Sequence, residues 1–284
     1  MNARPAVFSR PRRPGLPRST RRPGRRRRVG LAALAVLALG PAGCGGDTGP
    51  QAAGTAGSSA PVTITVLAAA SLKEAFTAIG ADVEAAEPGL RVRFSFGASP
   101  ALQAQIEQGA PADVYASASP KSMDALVRAG RIDGEAVPFA ANSLEIAVPP
   151  ANPAGITGLA DLARPGVKVA VCEASVPCGA VAAKVFAAAG LTLRPATQEA
   201  DVKATLAKVQ LGEVDAGLVY VTDVRAAKGK VRGIAVPAGV NASTTYPIAV
   251  VEGSPRAEAA RRFVQHVLSA EGRAVLAEAG FSQP

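Results

Sequence analysis

Ser71 and Ser99 each stand where a strand-like run gives way to residues at helical spacing. Ser71 has Glu74 three places on, the pattern of a capping box, and Ser99 is followed by Pro100, which suits the first position of a helix. Where a strand feeds a helix at the carboxyl edge of a sheet, free backbone N–H groups face outward, and α/β folds bind ligands there. Such a helix start attracts an anion without any cationic side chain. The same residues also fit ordinary structural caps. Two of them in consecutive βα units point to a single site.

Other chemistries find little support. His266 is the only histidine. It falls in a C-terminal amphipathic stretch, reads as a surface residue, and leaves a Ser/His or Cys/His pair without its base. There is no GxxxxGK[ST] loop and no cluster with metal-ligand spacing. A binding protein is expected rather than an enzyme, with no cofactor and no directly ligated metal.

The elements that would position the two serines alternate between strand and helix. Val62–Leu67 is a β-branched apolar run, expected as a strand buried in a parallel sheet. Leu72–Glu87 has helical spacing and stops at Pro88-Gly89; Leu90–Phe96 alternates as a strand; a helix from Ser99 runs to Gly109. Further on, strands are expected at Ser143–Val148, Val167–Val171, Gly212–Tyr220 and Tyr246–Val251. Helices are expected after the Cys172–Ala180 turn, after Asp201 as N-cap, and over Arg256–Gly280. The class is α/β.

Charge and composition need dividing by region. The formal net charge is +9, but eleven arginines and no acid lie in residues 1–43, leaving 20 basic residues against 22 acidic ones elsewhere. The basic balance therefore belongs to a leader, and with no tryptophan and few aromatics, nucleic-acid binding is not expected. Basic residues, the apolar run Val29–Leu39 and a small-residue end make residues 1–43 a signal peptide. Arg25–Arg28 leaves both the general secretory and the twin-arginine route open. Cys44 resembles the acylated cysteine of bacterial lipoproteins, with Pro41 where a leucine is usual. Residues 44–60 then form a lipid anchor and flexible tether, placing the body on the outer face of the cytoplasmic membrane.

The run Ala68-Ala69-Ala70-Ser71, the helix start at Ser99, and Gly109-Ala110-Pro111-Ala112-Asp113-Val114-Tyr115-Ala116-Ser117 together resemble the molybdate-binding proteins of bacterial ABC importers, within the two-lobed periplasmic binding proteins. The resemblance runs from about Val62 to Phe281. It implies two α/β lobes, each a mostly parallel sheet flanked by helices, joined by two crossing hinge strands. Lobe 1 would comprise residues 61–143 and 244–284, lobe 2 residues 144–243. It implies a monomer that takes molybdate or tungstate and passes it to an importer permease. The carried-over ligand contacts are the hydroxyls of Ser71 and Ser99, the backbone amides of Cys178 and Val202, and the Tyr220 phenol. All are neutral donors, matched to an anion that only accepts hydrogen bonds. Cys178 stands where the family often has alanine; an exported chain with Cys172 and Cys178 around a short loop is expected to join them in a disulfide. A sulfate- or thiosulfate-type binder is the alternative, and an enzyme on the same fold a more distant one. Ferric binding is disfavoured because Tyr115, Tyr220 and Tyr246 are scattered in sequence.

Overall fold

The computed structural model describes residues 60–284. The expected signal peptide, Cys44 and nearly all of the tether lie outside the described residues. No helix among the described residues is long and apolar enough to cross a membrane.

Nine strands form one sheet. In chain order, β1 (Val62–Ala69) leads through a short 3-10 turn (Ala70–Leu72) to α1 (Lys73–Ala86). Then come β2 (Leu90–Gly97), α2 (Ser99–Glu107), β3 (Val114–Ala116), α3 (Pro120–Arg128) and β4 (Ile132–Val148). After another 3-10 turn the chain makes β5 (Val169–Cys172), α4 (Pro177–Ala188), β6 (Thr197–Glu199), α5 (Val202–Gln210) and β7 (Ala216–Tyr220). It closes with α6 (Val221–Ala226), β8 (Arg232–Ala235), β9 (Ser243–Val251), α7 (Ala257–Leu268) and α8 (Ala270–Ala279). The strand order is β2-β1-β3-β9-β4-β7-β5-β6, with β8 also paired to β4.

The same small topology occurs twice. β1 is parallel to both β2 and β3, and β5 is parallel to both β6 and β7. In each trio the first strand lies in the middle, so the chain crosses over it. The crevice at that reversal, beyond the carboxyl ends of the strands, is where open α/β sheets place ligands. α1 and α2 begin at one such edge, and α4 and α5 at the other.

β4 and β9 run antiparallel to each other between the trios, and antiparallel to β7 and β3 respectively. β4 is much longer than the Ser143–Val148 strand expected from sequence. Its first part contains Gly134 and Pro138, and the pairing with β9 shifts register on either side of Val137–Pro138. Pro lacks a donor for the ladder, so the strand tolerates it beside that irregularity.

Apolar packing follows the same division. One cluster of buried side chains is drawn wholly from residues 144–236, including Ile146, Val169, Val185 and Leu218. Two others come from residues 64–140 and 246–281. In α1, Phe76, Ile79, Gly80 and Val83 face inward, a helical stripe that must bury itself. Phe76 sits 5.7 to 6.2 Å, centroid to centroid, from Phe94, Phe139 and Phe263. Gly80 lets the Phe94 ring lie against the helix, since a Cβ there would be 2.6 Å from Phe94 Cε2.

The C-terminal amphipathic region is two helices, because Ser269 ends α7 and caps α8, its Oγ accepting from Gly272 N at 3.2 Å. His266 is not simply at the surface: it is half-buried, and its Nε2 is buried with no hydrogen-bond partner.

Candidate functional site

Four helix starts converge on one small cavity. It is bordered by Ser71, Ser99, Cys178, Val202 and Tyr220, with Ala69, Ala70, Gly97, Ala98, Ala118, Val176, Pro177 and Asp201 completing the wall. All five residues singled out from sequence are thus brought together. The cavity measures ≈ 20 Å³, far below the several hundred Å³ typical of clefts that hold drug-sized ligands. A compact ion suits it better than a sugar or peptide. Ser71 also borders a larger groove of ≈ 360 Å³, lined by Glu74, Arg225, Lys228 and Glu278 among others. That groove gathers mixed charge and none of the orphaned donors described below.

The serines do not act as the caps their sequence suggests. Ser71 lies within the 3-10 turn ahead of α1, and neither that turn nor α1 has a side-chain cap. Its hydroxyl turns inward instead, 2.9 Å from the Tyr246 hydroxyl, and Glu74 reaches outward to Lys203. Ser99 is the first residue of α2 and Ala98 its N-cap, again without a side-chain cap. Ser99 Oγ accepts the backbone N–H of Ala118 at 3.0 Å, while its carbonyl accepts the Tyr115 hydroxyl at 2.9 Å. By contrast, the Ser119-Pro120 start of α3 is a true cap, with Ser119 Oγ accepting from Lys121 N. Both site serines are buried, so their hydroxyls serve the interior and the cavity.

The second trio offers bare amides. Val176 precedes α4, Pro177 takes its first position and Cys178 the second. Pro has no N–H to leave unsatisfied, so Cys178 carries the first free amide of that helix. A disulfide joins Cys172 at the end of β5 to Cys178, with Cα atoms 5.7 Å apart. Cys172 Sγ also lies 3.4 Å from Thr205 Oγ1, tying this turn to α5. Gly179 allows the tight return: a Cβ there would collide with the Glu173 carbonyl. Asp201 caps α5 through Ala204 N at 2.9 Å, leaving Val202 as the first helical residue.

Tyr220 ends β7 opposite Leu144, and Tyr246 lies on β9 opposite Ala140. Ala140 and Leu144 share a face of β4, since strand side chains alternate. The two rings are accordingly stacked edge to face, 6.2 Å apart. Sequence distance hides this pairing. The Tyr220 hydroxyl is buried and has no hydrogen-bond partner in the protein. Burial, then the neighbouring Tyr246 and Asp223, push its pKa well above the ordinary 10, so it remains a protonated donor. An orphaned buried donor at a cavity wall asks for an acceptor.

Behind this wall lies an ion cluster that sequence reading missed. Asp223, fully buried on α6, accepts from Tyr220 N at 3.1 Å through Oδ2. Its Oδ1 faces the Lys203 ammonium at 3.0 Å, an ionic contact without hydrogen-bond alignment. Lys203 also meets Glu74 on α1 at 2.7 Å. Lys203 and Glu74 are 129 residues apart, and no local spacing pointed to the cluster. Among the described residues there is no group of three or more His, Cys, Asp or Glu able to hold a metal ion.

A family model for bacterial extracellular solute-binding proteins matches residues 64–282, almost all of the described chain. The chain belongs to this family. This solute-binding protein is 40% identical over 250 residues to the molybdate-binding protein ModA of Mycobacterium tuberculosis, covering 88% of this chain and 95% of that one. It is 33% identical to the molybdate-binding protein ModA of Escherichia coli, covering 77% and 88%. The substrate-binding domain of a molybdenum ABC transporter from Clostridium difficile superposes with a TM-score of 0.61 at 32% identity, over 78% of this chain and 99% of that one. The relatives bind solutes rather than transform them, and the fold of this solute-binding protein is theirs.

Proposed function

We propose that this protein captures molybdate, and tungstate with it, outside the cytoplasm and hands it to the permease of an ABC importer. The observation that carries this reading is the buried, unpartnered hydroxyl of Tyr220, a residue of the wall of a cavity that Ser71, Ser99 and the helix-start residues Cys178 and Val202 also line. A tetrahedral dianion offers only acceptors, and neutral donors at four helix starts meet it without an empty cationic pocket to desolvate. The choice of molybdate over sulfate draws on the relatives, because the donors alone suit both. Tungstate is included because it is nearly isosteric with molybdate.

Residues 61–143 with 244–284 form one lobe of this reading and residues 144–243 the other, with β4 and β9 as the crossing strands. Ser71 and Ser99 serve from the first lobe; Cys178, Val202 and Tyr220 serve from the second. A monomer held at the membrane by lipid on Cys44 completes it. Calorimetric titration of the chain from residue 61 onward with molybdate, tungstate, sulfate and phosphate tests the ligand. One-to-one binding of the first two, with sulfate much weaker, is expected. Sulfate bound as tightly as molybdate would overturn the choice of ligand, and no binding of any of the four would overturn the oxyanion reading.

A further inference from the structure

Tyr246 does not border the cavity, yet it is the hydrogen-bond partner of a residue that does. Its fully buried ring is held among Phe281, Tyr220 and Phe139, with centroids 5.3, 6.2 and 6.3 Å away. Its hydroxyl lies 2.9 Å from Ser71 Oγ, across 175 residues of chain. Either oxygen can donate in that pair, and the two polarities have opposite consequences. If Ser71 donates, its only proton is spent inside the protein and the cavity meets a lone pair. If Tyr246 donates, the Ser71 proton is free to point at a ligand.

Ser99 shows the same arrangement with its polarity fixed. Its Oγ accepts from the backbone N–H of Ala118, and an amide can only donate. The Tyr246 phenol is also bound to keep its proton, because burial raises its pKa above the ordinary 10. A buried donor has to place that proton on an acceptor; Asn142 and the Tyr220 hydroxyl lie near, but Ser71 Oγ is the atom the phenol pairs with, at 2.9 Å. We infer that Tyr246 is a positioning residue that donates to Ser71 Oγ and thereby commits the Ser71 hydroxyl to act as a donor toward the bound anion. This rests on the oxyanion reading above.

The consequence is selectivity by proton count. With one lone pair of each serine oxygen filled from inside, both hydroxyls are set as donors. An anion that carries a proton, such as hydrogen phosphate, needs an acceptor, and each serine can supply one only by turning its own proton away from the anion. Linked donors of this kind also strengthen one another, phenol to hydroxyl to anion.

The test is a double-mutant cycle by calorimetry with molybdate, using the parent protein, Tyr246→Phe, Ser71→Ala and the double variant. Phe keeps the aromatic packing, and the thermal midpoint of each ligand-free variant reports on the fold separately. Tyr246→Phe should weaken molybdate binding about tenfold in the parent and should add nothing in the Ser71→Ala background. It should also narrow the preference for molybdate over phosphate in competition. Unchanged binding by Tyr246→Phe, or losses that simply add in the double variant, would overturn the inference. A parent protein that binds no molybdate would instead remove the oxyanion reading, and this inference with it.

Discussion

Replacing Lys203 by methionine isolates the cost of a buried carboxylate. Asp223 is fully buried, and its nearest cation is the Lys203 ammonium at 3.0 Å. Methionine keeps much of the stem's apolar volume and deletes the charge. Removing one partner of a buried pair typically costs about 3–5 kcal/mol. Lys203 is partly exposed, with 23% of its side chain accessible, so we expect about 2–4 kcal/mol at pH 7. The pH dependence is the sharper readout. Burial already raises the Asp223 pKa above its usual 3.8, and Lys203 is the main force opposing that rise. A carboxyl with a raised folded-state pKa holds its proton more tightly when folded. Its contribution therefore favours the fold at low pH and is lost as pH rises from 3.8 through the folded value. Deleting Lys203 raises that value further. The stability deficit of Lys203→Met against the parent should be full at pH 7 and shrink steadily toward pH 4. Urea unfolding followed by circular dichroism at several pH values measures it. A deficit that is independent of pH, or absent at pH 7, would refute the reasoning.

Three other outcomes are expected. Ser99→Ala should cost about 1.5–3 kcal/mol of molybdate affinity, the usual worth of a hydrogen bond to a charged group. Calorimetry checks it, and parental affinity would mean that Ser99 serves only Ala118. Thiol labelling of denatured, unreduced protein from membranes should find no free cysteine. One labelled thiol would expose an unacylated Cys44, and two that vanish in a Cys172→Ser/Cys178→Ser double variant would remove the disulfide. Losing that short cross-link should lower stability by about 2 kcal/mol.

Local signals carried much of the fold. The β-branched run at Val62 gave a strand and Asp201 a cap, because each depends on neighbours in sequence, whereas α4 begins at Pro177, inside the turn expected over Cys172–Ala180. The Ser71-Glu74 pattern misled for the opposite reason. Its hydroxyl found Tyr246 and its carboxylate partner found Lys203, and only tertiary contact decides between those and a capping box. β4 was underestimated because Gly134 and Pro138 look like breaks, whereas pairing with β9 holds the strand through an irregular register. The split of the last helical region at Ser269 was readable in principle, since Ser is a good N-cap, but the amphipathic pattern continues across it. The five candidate residues that line the cavity were singled out mainly through family likeness. Spacing alone gave Ser71 and Ser99.

The near-neutral lining of the cavity has a kinetic corollary. Its only formally charged residue is Asp201, a carboxylate already committed to Ala204 N, and the nearby ammonium of Lys203 is occupied by Glu74 and Asp223. No exposed cation in the wall draws a dianion in from a distance. Steering is then left to the partial charges of the helix starts, a weaker field than an exposed cation would supply. Under the oxyanion reading, affinity would rest more on how long the donors hold the anion than on how fast it arrives. Release would in turn depend on whatever separates the helix starts that hold the anion.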